Sequence, residues 1–320
     1  MTVRQLSLGG IPAVSLSNDL LELVIAPTLG MKITNLRRRR GREWLWRNPA
    51  IPYAPGVPGS SYVETADSGG WDECFPTILP SRIPGAPPET PPLPDHGELW
   101  SARWESRIYE HAEGTVISGT ARGVALPYEF TREVSLAADE PMAVFRYRVR
   151  HTGDVPFPWL WAAHPLFGVR PGMRIVLPTV ERVRCSDVVG RNDWSAGQVV
   201  SWPLDAGGDA FVFPEQPGWA AMVHADVGSS GRVLLQDPEA GEWLDFLVDP
   251  METPQVGLWL NCGGWAPGGI EPYYNCAIEP GIGAPGRLQD AAGDWGVAPT
   301  LHPGEERAWR LTVGLWNEED

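Results

Sequence analysis

Four short segments, at 69–77, 94–100, 161–169 and 274–286, place carboxylates and histidines among glycine, proline and aromatic residues. Their polar side chains belong to Asp72, Glu73, Asp95, His96, Glu98, His164 and Glu279. A carboxylate and an imidazole on different sides of a reacting bond can take up one proton and supply another. These residue types therefore point to general acid–base chemistry.

Each of these residues also has a purely structural interpretation. His164 follows an apolar run, where a core histidine bonded to backbone fits as well as a catalyst does. His96 follows a proline-rich stretch in which packing demands little, and this favours a functional role. Glu279 ends an apolar strand before a Pro-Gly turn that it could cap, and Asp72 and Glu73 could likewise bond to turns.

Aromatic side chains accompany the same segments. Aromatic faces stack on the C–H faces of sugars, although most tryptophans in any fold are core residues. We expect one or two of the flanking tryptophans to contact a ligand. They are Trp71, Trp100, Trp161, Trp259 and Trp265.

The sequence predicts neither a metal site nor a cofactor. Asp95, His96 and Glu98 could approach one metal ion, but no further ligand stands at a suitable spacing. Walker, dinucleotide-binding and serine-hydrolase motifs are absent. The cysteines are far apart and form no C-x-x-C pair, so a disulfide framework is not expected.

The elements that must position these residues are strands. Apolar and polar residues alternate at 142–151 and 306–316, and Gly 36 with Pro 33 disfavours long helices. Shorter runs of the same kind, separated by turn residues, occur at 20–26, 101–109, 114–120, 129–137, 219–224, 232–236, 243–248, 256–261 and 273–279. The pattern predicts an all-β chain, either a sandwich or a barrel.

Two segments depart from this pattern. Eight prolines within 76–95 predict a long loop beside a site, since proline cannot donate to a strand ladder. The arginine run at 37–40 is expected at a solvated hairpin tip. We expect one domain over 1–320, because all-β domains often reach such lengths.

Charge limits the partners. Twenty-five basic against 40 acidic residues give a formal charge of −15, which opposes nucleic acid and anionic lipid surfaces. The N-terminus lacks an apolar signal region and no segment is long and apolar enough to span a membrane, so we expect a cytoplasmic protein. The oligomeric state stays open.

Taken in order, the motifs resemble the aldose 1-epimerase (mutarotase) family, whose fold is a large antiparallel β-sandwich. The similarity runs through LGMKITNL (29–36), HGELW (96–100), HPLFGV (164–169) and IEPGIGAPGRLQDA (278–291). The resemblance implies that His164 is a general acid, Glu279 a general base and His96 a hydrogen-bonding partner near the sugar's ring oxygen. A carboxylate and an imidazolium would open a cyclic hemiacetal at neutral pH without metal or cofactor.

This sequence departs from the family at two places. The family's Arg before the His-Gly motif is replaced by the segment 69–73, and its central Asp has no evident counterpart between 170 and 250. We therefore expect Asp72 and Glu73 to accept hydrogen bonds from sugar hydroxyls, with further substrate contacts from Trp71, Asp95 and Trp259. The motif loops hold carboxylates and no basic residue, which favours an uncharged sugar unless Arg82, Arg170 or Arg287 folds back over the site.

Three hypotheses follow for a small-molecule carbohydrate ligand. The leading one is an isomerase that interconverts the anomers of a free sugar. The second is a non-catalytic carbohydrate-binding protein on the same fold. The third is a glycoside hydrolase or lyase that pairs Glu279 with Asp72 or Glu73.

Overall fold

The computed structural model describes residues 1–111, 114–204, 208–215 and 218–320. Its strands are β1 (Thr2–Leu8), β2 (Ile11–Ser17), β3 (Leu21–Ala26), β4 (Lys32–Arg38), β5 (Trp71–Cys74), β6 (Glu105–His111), β7 (Gly114–Arg122), β8 (Tyr128–Leu136), β9 (Met142–His151), β10 (Phe157–Pro158), β11 (Trp161–Gly168), β12 (Arg174–Val176), β13 (Arg182–Val189), β14 (Val199–Ser201), β15 (Phe211–Val212), β16 (Trp219–Asp226), β17 (Arg232–Asp237), β18 (Glu242–Val248), β19 (Gln255–Cys262), β20 (Tyr274–Ile282), β21 (Thr300–Leu301) and β22 (Glu306–Asn317). Two short helices, α1 (Tyr62–Thr65) and α2 (Leu288–Ala292), interrupt them.

Two large sheets form a β-sandwich. Within the described residues, the first sheet has 11 strands in the order β1-β2-β3-β4-β5-β11-β20-β19-β16-β13-β14. The second has nine, in the order β15-β12-β17-β18-β22-β9-β8-β7-β6, and β10 pairs with β21. The ladders between these strands are antiparallel. The all-β expectation and the sandwich architecture are confirmed.

The core lies between the two sheets and is rich in aromatic rings. Trp71 of β5 stacks on Phe145 of β9 with ring centroids 4.6 Å apart. Trp161 of β11 meets Tyr147 and Trp309 of the opposite sheet at 4.7 and 4.9 Å. Aromatic side chains supply much of the buried apolar area between the two sheets. Their packing therefore holds β5 and β11, which carry two of the polar motifs, against the second sheet.

One buried ion pair bridges the sheets. Arg132 of β8 donates to Glu73 of β5 at 2.9 Å, and both side chains have 0% exposure. Tyr147 and Trp161 donate to the same carboxylate at 3.0 and 2.9 Å. Burial raises the pKa of Glu73, with Arg132 acting in the opposite direction. The carboxylate is a fully bonded core element.

Most predicted elements are present. The eleven alternating segments coincide with strands to within a few residues at each end, and the strand alternation follows burial, since Arg148 and Arg150 of β9 are exposed while their neighbours are buried. The segment 76–95 contains no named strand or helix, as predicted. None of the described helices is long and apolar enough to cross a membrane. The single-domain expectation stays a prediction.

Candidate active site

A row of polar residues crosses the outer face of the first sheet. Asp72 of β5 lies opposite His164 of β11. Glu279 of β20 lies opposite Gly257 of β19, which in turn faces His224 of β16. Side chains at matching register positions share a face of a sheet. Five adjacent strands therefore bring together residues from distant parts of the chain.

His164 and Glu279 are the closest pair in this row. His164 Nε2 lies 3.7 Å from Glu279 Oε1, and their side chains are only 9% and 4% exposed. The second carboxylate oxygen, Oε2, is buried without a hydrogen-bond partner among the described residues. It is therefore a buried acceptor whose hydrogen-bonding capacity is unused.

Gly257 allows Met222 and Glu279 to pack closely against the backbone of β19. A Cβ at this position would lie 2.6 Å from Met222 Cε and 3.4 Å from Glu279 Oε2. The first contact would displace the Met222 side chain, whereas the second is an ordinary van der Waals distance. The glycine thus lets the Met222 side chain pack beside the Glu279 carboxylate.

A cavity of about 280 Å³ lies over this row. Its volume is near the roughly 300 Å³ lower end for small-molecule sites. Its lining combines apolar side chains with carboxyl and imidazole groups and comprises Tyr62, Val63, Asp67, Ile78, Leu79, His96, His164, Leu166, Ser186, Asp187, Val189, Met222, His224, Trp259, Trp265, Glu279, Gly286 and Arg287. Trp259 and Trp265 meet edge to face, with centroids 5.7 Å apart.

The proline-rich loop delivers His96 to the cavity. The backbone N–H of His96 donates to the carbonyl of Ile78 at 2.6 Å. His96 has φ +58°, a left-handed conformation that is uncommon outside glycine and concentrates at functional sites. The following Gly97 has φ +70°, and a Cβ there would lie 2.2 Å from the Phe75 carbonyl oxygen. The His-Gly pair is thus required by a sharp turn over β5.

Three contacts fix the ring of His96. Its Nδ1 lies 2.8 Å from Asp95 Oδ1, and its face stacks on Tyr62 with centroids 4.2 Å apart. The ring also meets His164 at 4.8 Å, almost perpendicular. Since Asp95 engages Nδ1, Nε2 is the nitrogen left for a ligand. His96, His164 and Glu279 therefore converge on one face, as the sequence predicts.

Asp72 and Asp95 hold neighbouring side chains of the site in position. Tyr62 donates its hydroxyl to Asp72 at 2.7 Å, and Lys32 donates to the same carboxylate and to the carbonyl of Gly69. Asp95 also accepts the backbone N–H of Tyr62 at 2.9 Å. Neither carboxylate lines the cavity. Their contacts hold Tyr62 and His96 in place, which differs from the expected contact with sugar hydroxyls.

The structure contradicts the expected roles of Trp71 and Glu73. Both were expected to bind substrate, yet both have 0% exposure and face the core. The reason is strand periodicity: successive side chains point to opposite faces, so Trp71 and Glu73 point inward while Asp72 and Cys74 take the outer face. Glu279 also lies inside β20, which continues to Ile282, rather than at the end of its strand.

Burial shifts the proton affinities of the central pair. It raises the pKa of Glu279 to about 7. It also lowers the pKa of His164 well below its usual value, an effect that His96 and Lys32 reinforce. Near pH 7 the pair therefore exchanges between a state with one proton, which rests mainly on Glu279 in the free site, and a state with none. The sequence predicted an imidazolium on His164. In the free site this is wrong, because burial disfavours the charged ring.

Several cavity residues were missed by sequence reasoning. Asp187 of β13 and His224 of β16 line the cavity, although no counterpart of the family's central Asp was evident between 170 and 250. His224 Nε2 lies 3.1 Å from Ser186 Oγ, and burial lowers the pKa of His224 to about 4. Asp67 is buried, and this raises its pKa to about 6. The only sequence signal was that Met222 and His224 share a strand face at period two.

The three arginines singled out for a charged ligand have different surroundings. Arg287 lines the cavity and is exposed; no hydrogen bond or ion pair joins its guanidinium to another described residue. Arg170 is held by Asp237 at 2.6 Å. Arg82 donates to the Pro88 carbonyl at 3.2 Å. Only Arg287 is placed to meet a ligand.

Comparison with solved structures shows the fold. The chain is similar to a protein provisionally described as an aldose 1-epimerase from Escherichia coli K12, with a TM-score of 0.67 and 18% identity over 95% of this chain and 98% of that one. A galactose mutarotase-like protein from Lactobacillus casei ATCC 334 gives 0.67 and 16% over 95% and 100%. The chain spans about half, 47%, of a TPR-domain containing protein from Parabacteroides distasonis that matches with a TM-score of 0.70 and 16% identity over 95% of this chain.

No protein-family model and no curated protein matches the chain. At these identities the structural similarity establishes a galactose mutarotase-like β-sandwich and leaves the activity to be argued from the site.

Proposed function

We propose that the protein is an aldose 1-epimerase that interconverts the α and β anomers of a free, uncharged sugar by acid–base ring opening. The observation that carries this proposal is the pair of His164 Nε2 and Glu279 Oε1, 3.7 Å apart beneath an open cavity. One proton, two sites that can hold it and a sugar-sized space are what the reaction needs.

The proton path follows from the pair. Glu279, as carboxylate, takes the proton of the C1 hydroxyl while His164 donates to the ring oxygen, and the C1–O bond opens to the free aldehyde. Rotation about C1–C2 and reversal of the transfers gives the other anomer. The required state, carboxylate plus imidazolium, has the same net charge as the resting state, so only one proton must shift within the pair.

The remaining lining offers the contacts a sugar requires. The rings of Trp259 and Trp265 supply apolar faces for stacking. Asp67 and Asp187 supply acceptors for hydroxyl donors, and His96 offers Nε2 near the ring oxygen. Three carboxylates against one arginine favour an uncharged ligand.

The competing hypotheses fit less well. A glycosidase that pairs Glu279 with Asp72 or Glu73 lacks its second carboxyl, because Glu73 is in the core and Asp72 is held by Lys32 and Tyr62. A binding protein would not need an unpartnered carboxylate oxygen buried beside an imidazole, since such burial is costly unless it is used.

A screen of free aldoses tests the proposal. Freshly dissolved single anomers are mixed with protein, and the approach to equilibrium is followed by NMR against a protein-free blank. Acceleration for at least one free sugar is expected. Binding without acceleration across the screen would favour the binding protein, and release of a reducing sugar from a glycoside would favour the hydrolase.

A further inference from the structure

Three potential metal ligands meet at the edge of the cavity, and the proposed reaction leaves one of them unused. Cys74 Sγ and one ring nitrogen each of His96 and His164 all lie within 4.8 Å of one another. We propose that these three residues bind one thiophilic divalent metal ion of the Zn²⁺ type, and that the bound ion reversibly inhibits the enzyme. The binding rests on these donors alone, whereas the inhibition rests on the proposed function.

The donor set has the chemistry of a zinc site. Zinc takes thiolate and imidazole ligands at about 2.0–2.3 Å in a tetrahedron, so its donors lie roughly 3.4–3.6 Å apart. Side-chain movements of about 1 Å would bring the three donor atoms, now up to 4.8 Å apart, within that range. A three-residue set leaves the fourth position for water or for Glu279, whose Oε2 is buried and unpartnered.

The surroundings of the two histidines support ligation. Asp95 holds Nδ1 of His96 at 2.8 Å, the carboxylate–histidine arrangement that orients metal-bound imidazoles. His164 is 7% exposed, and its Nδ1 has no hydrogen-bond partner among the described residues. A metal ion would satisfy a nitrogen that otherwise remains buried and unbonded.

Cys74 belongs to this donor set because of the strand face on which its side chain lies. It shares the outer face of β5 with Asp72 and lies opposite Ala162, two residues before His164 on β11. Burial raises the pKa of the Cys74 thiol, and the nearby carboxylates of Glu279, Asp72, Glu73 and Asp95 act in the same direction. The thiol loses its proton to solvent when the metal–sulfur bond forms.

The consequence for catalysis is direct. A metal ion on either ring nitrogen of His164 prevents that ring from forming the imidazolium that ring opening needs, since an imidazolium carries a proton on both nitrogens. Basal activity needs no metal, so removal of the ion restores it. Sequence spacing could not reveal this site, because the ligands come from β5, the turn after the proline-rich loop, and β11.

Cobalt(II) binding tests the site without reference to activity. Chelator-treated protein is titrated with Co²⁺, and the thiolate-to-metal charge-transfer band and the visible ligand-field bands are recorded. We expect both to saturate at one equivalent and to disappear when Zn²⁺ is added. Cys74→Ala should lack the charge-transfer band, while the matched control Cys185→Ala, a buried core cysteine outside this donor set, should keep it.

X-ray absorption of the Zn²⁺-loaded wild-type protein is the second measurement, and it applies even if Cys74→Ala fails to fold. One sulfur with nitrogen or oxygen neighbours is expected. A shell without sulfur, or a cobalt band that survives in Cys74→Ala, would overturn the site. Asp95→Asn should weaken metal binding by about 10- to 100-fold, the usual effect of losing a partner that orients a ligand.

Anomer exchange in the same samples separates the two proposals. Stoichiometric Zn²⁺ should suppress exchange in wild type and in Cys185→Ala, and should spare Cys74→Ala. Metal binding with exchange unaffected would refute the inhibition. Metal binding in a protein that never accelerates exchange would refute the proposed function and leave the site standing.

Discussion

The shared proton of His164 and Glu279 predicts a specific pH profile. The reactive state holds one proton in the pair, so kcat/KM follows the population with one proton. Because the second proton is lost near the raised pKa of Glu279, about 7, this population is about nine tenths at pH 6, one half at pH 7 and one tenth at pH 8. kcat/KM should therefore fall about tenfold from pH 6 to pH 8.

The direction in which kcat/KM changes with pH distinguishes a shared proton from a mechanism with two independent groups. If Glu279 acted as a base with an independent acid, kcat/KM would rise through pH 7 as the carboxyl ionised. The pair also predicts an acid limb below the usual histidine range, since the pKa of His164 is lowered. Exchange NMR in EDTA, with the uncatalysed rate subtracted at each pH, measures the profile. A rise, or a flat profile from pH 6 to 8, would refute the shared proton.

Three further predictions address the surroundings of the pair. Glu73→Gln should lower the free energy of unfolding by about 3–5 kcal/mol, because Arg132 would be left buried without its counter-ion. Urea unfolding measures this change, with the exposed Glu239→Gln as the control. An unchanged unfolding midpoint would place Glu73 outside the core. Glucose or galactose should exchange faster than its 6-phosphate, since carboxylates outnumber the single arginine at the cavity; a phosphate preference abolished by Arg287→Gln would reverse the assignment of the substrate. Exhaustive EDTA treatment should leave basal exchange intact, and activity that requires an added divalent ion would show that the metal is a cofactor.

Sequence reasoning reached the strands and the central triad for different reasons. Alternation of apolar and polar residues identified the strands, because burial on one face of a sheet imposes period two. His164 and Glu279 came from motifs that resemble a known family. Glu73 was misassigned because a four-residue strand gives too few positions to tell its inward face from its outward one.

Other features depend on the register between strands. Asp187 and His224 lie far from the motifs in sequence and enter the cavity only because β13, β16 and β19 are neighbours. The lowered pKa of His164 follows from burial that emerges when the loop carrying His96 packs over β11. Cys74 carries no signal in its own segment and becomes a potential ligand only when both histidines are in place.

The central claim is that Glu279 removes the proton of the C1 hydroxyl while His164 donates a proton to the ring oxygen. Exchange NMR at anomeric equilibrium compares wild type with Glu279→Gln, His164→Asn and the control Glu239→Gln, each checked for native folding by circular dichroism. The account predicts that both active-site variants lower turnover by on the order of 10² or more, the scale for losing a positioned acid or base, and that the control matches wild type. Near-native exchange in either folded active-site variant would contradict it.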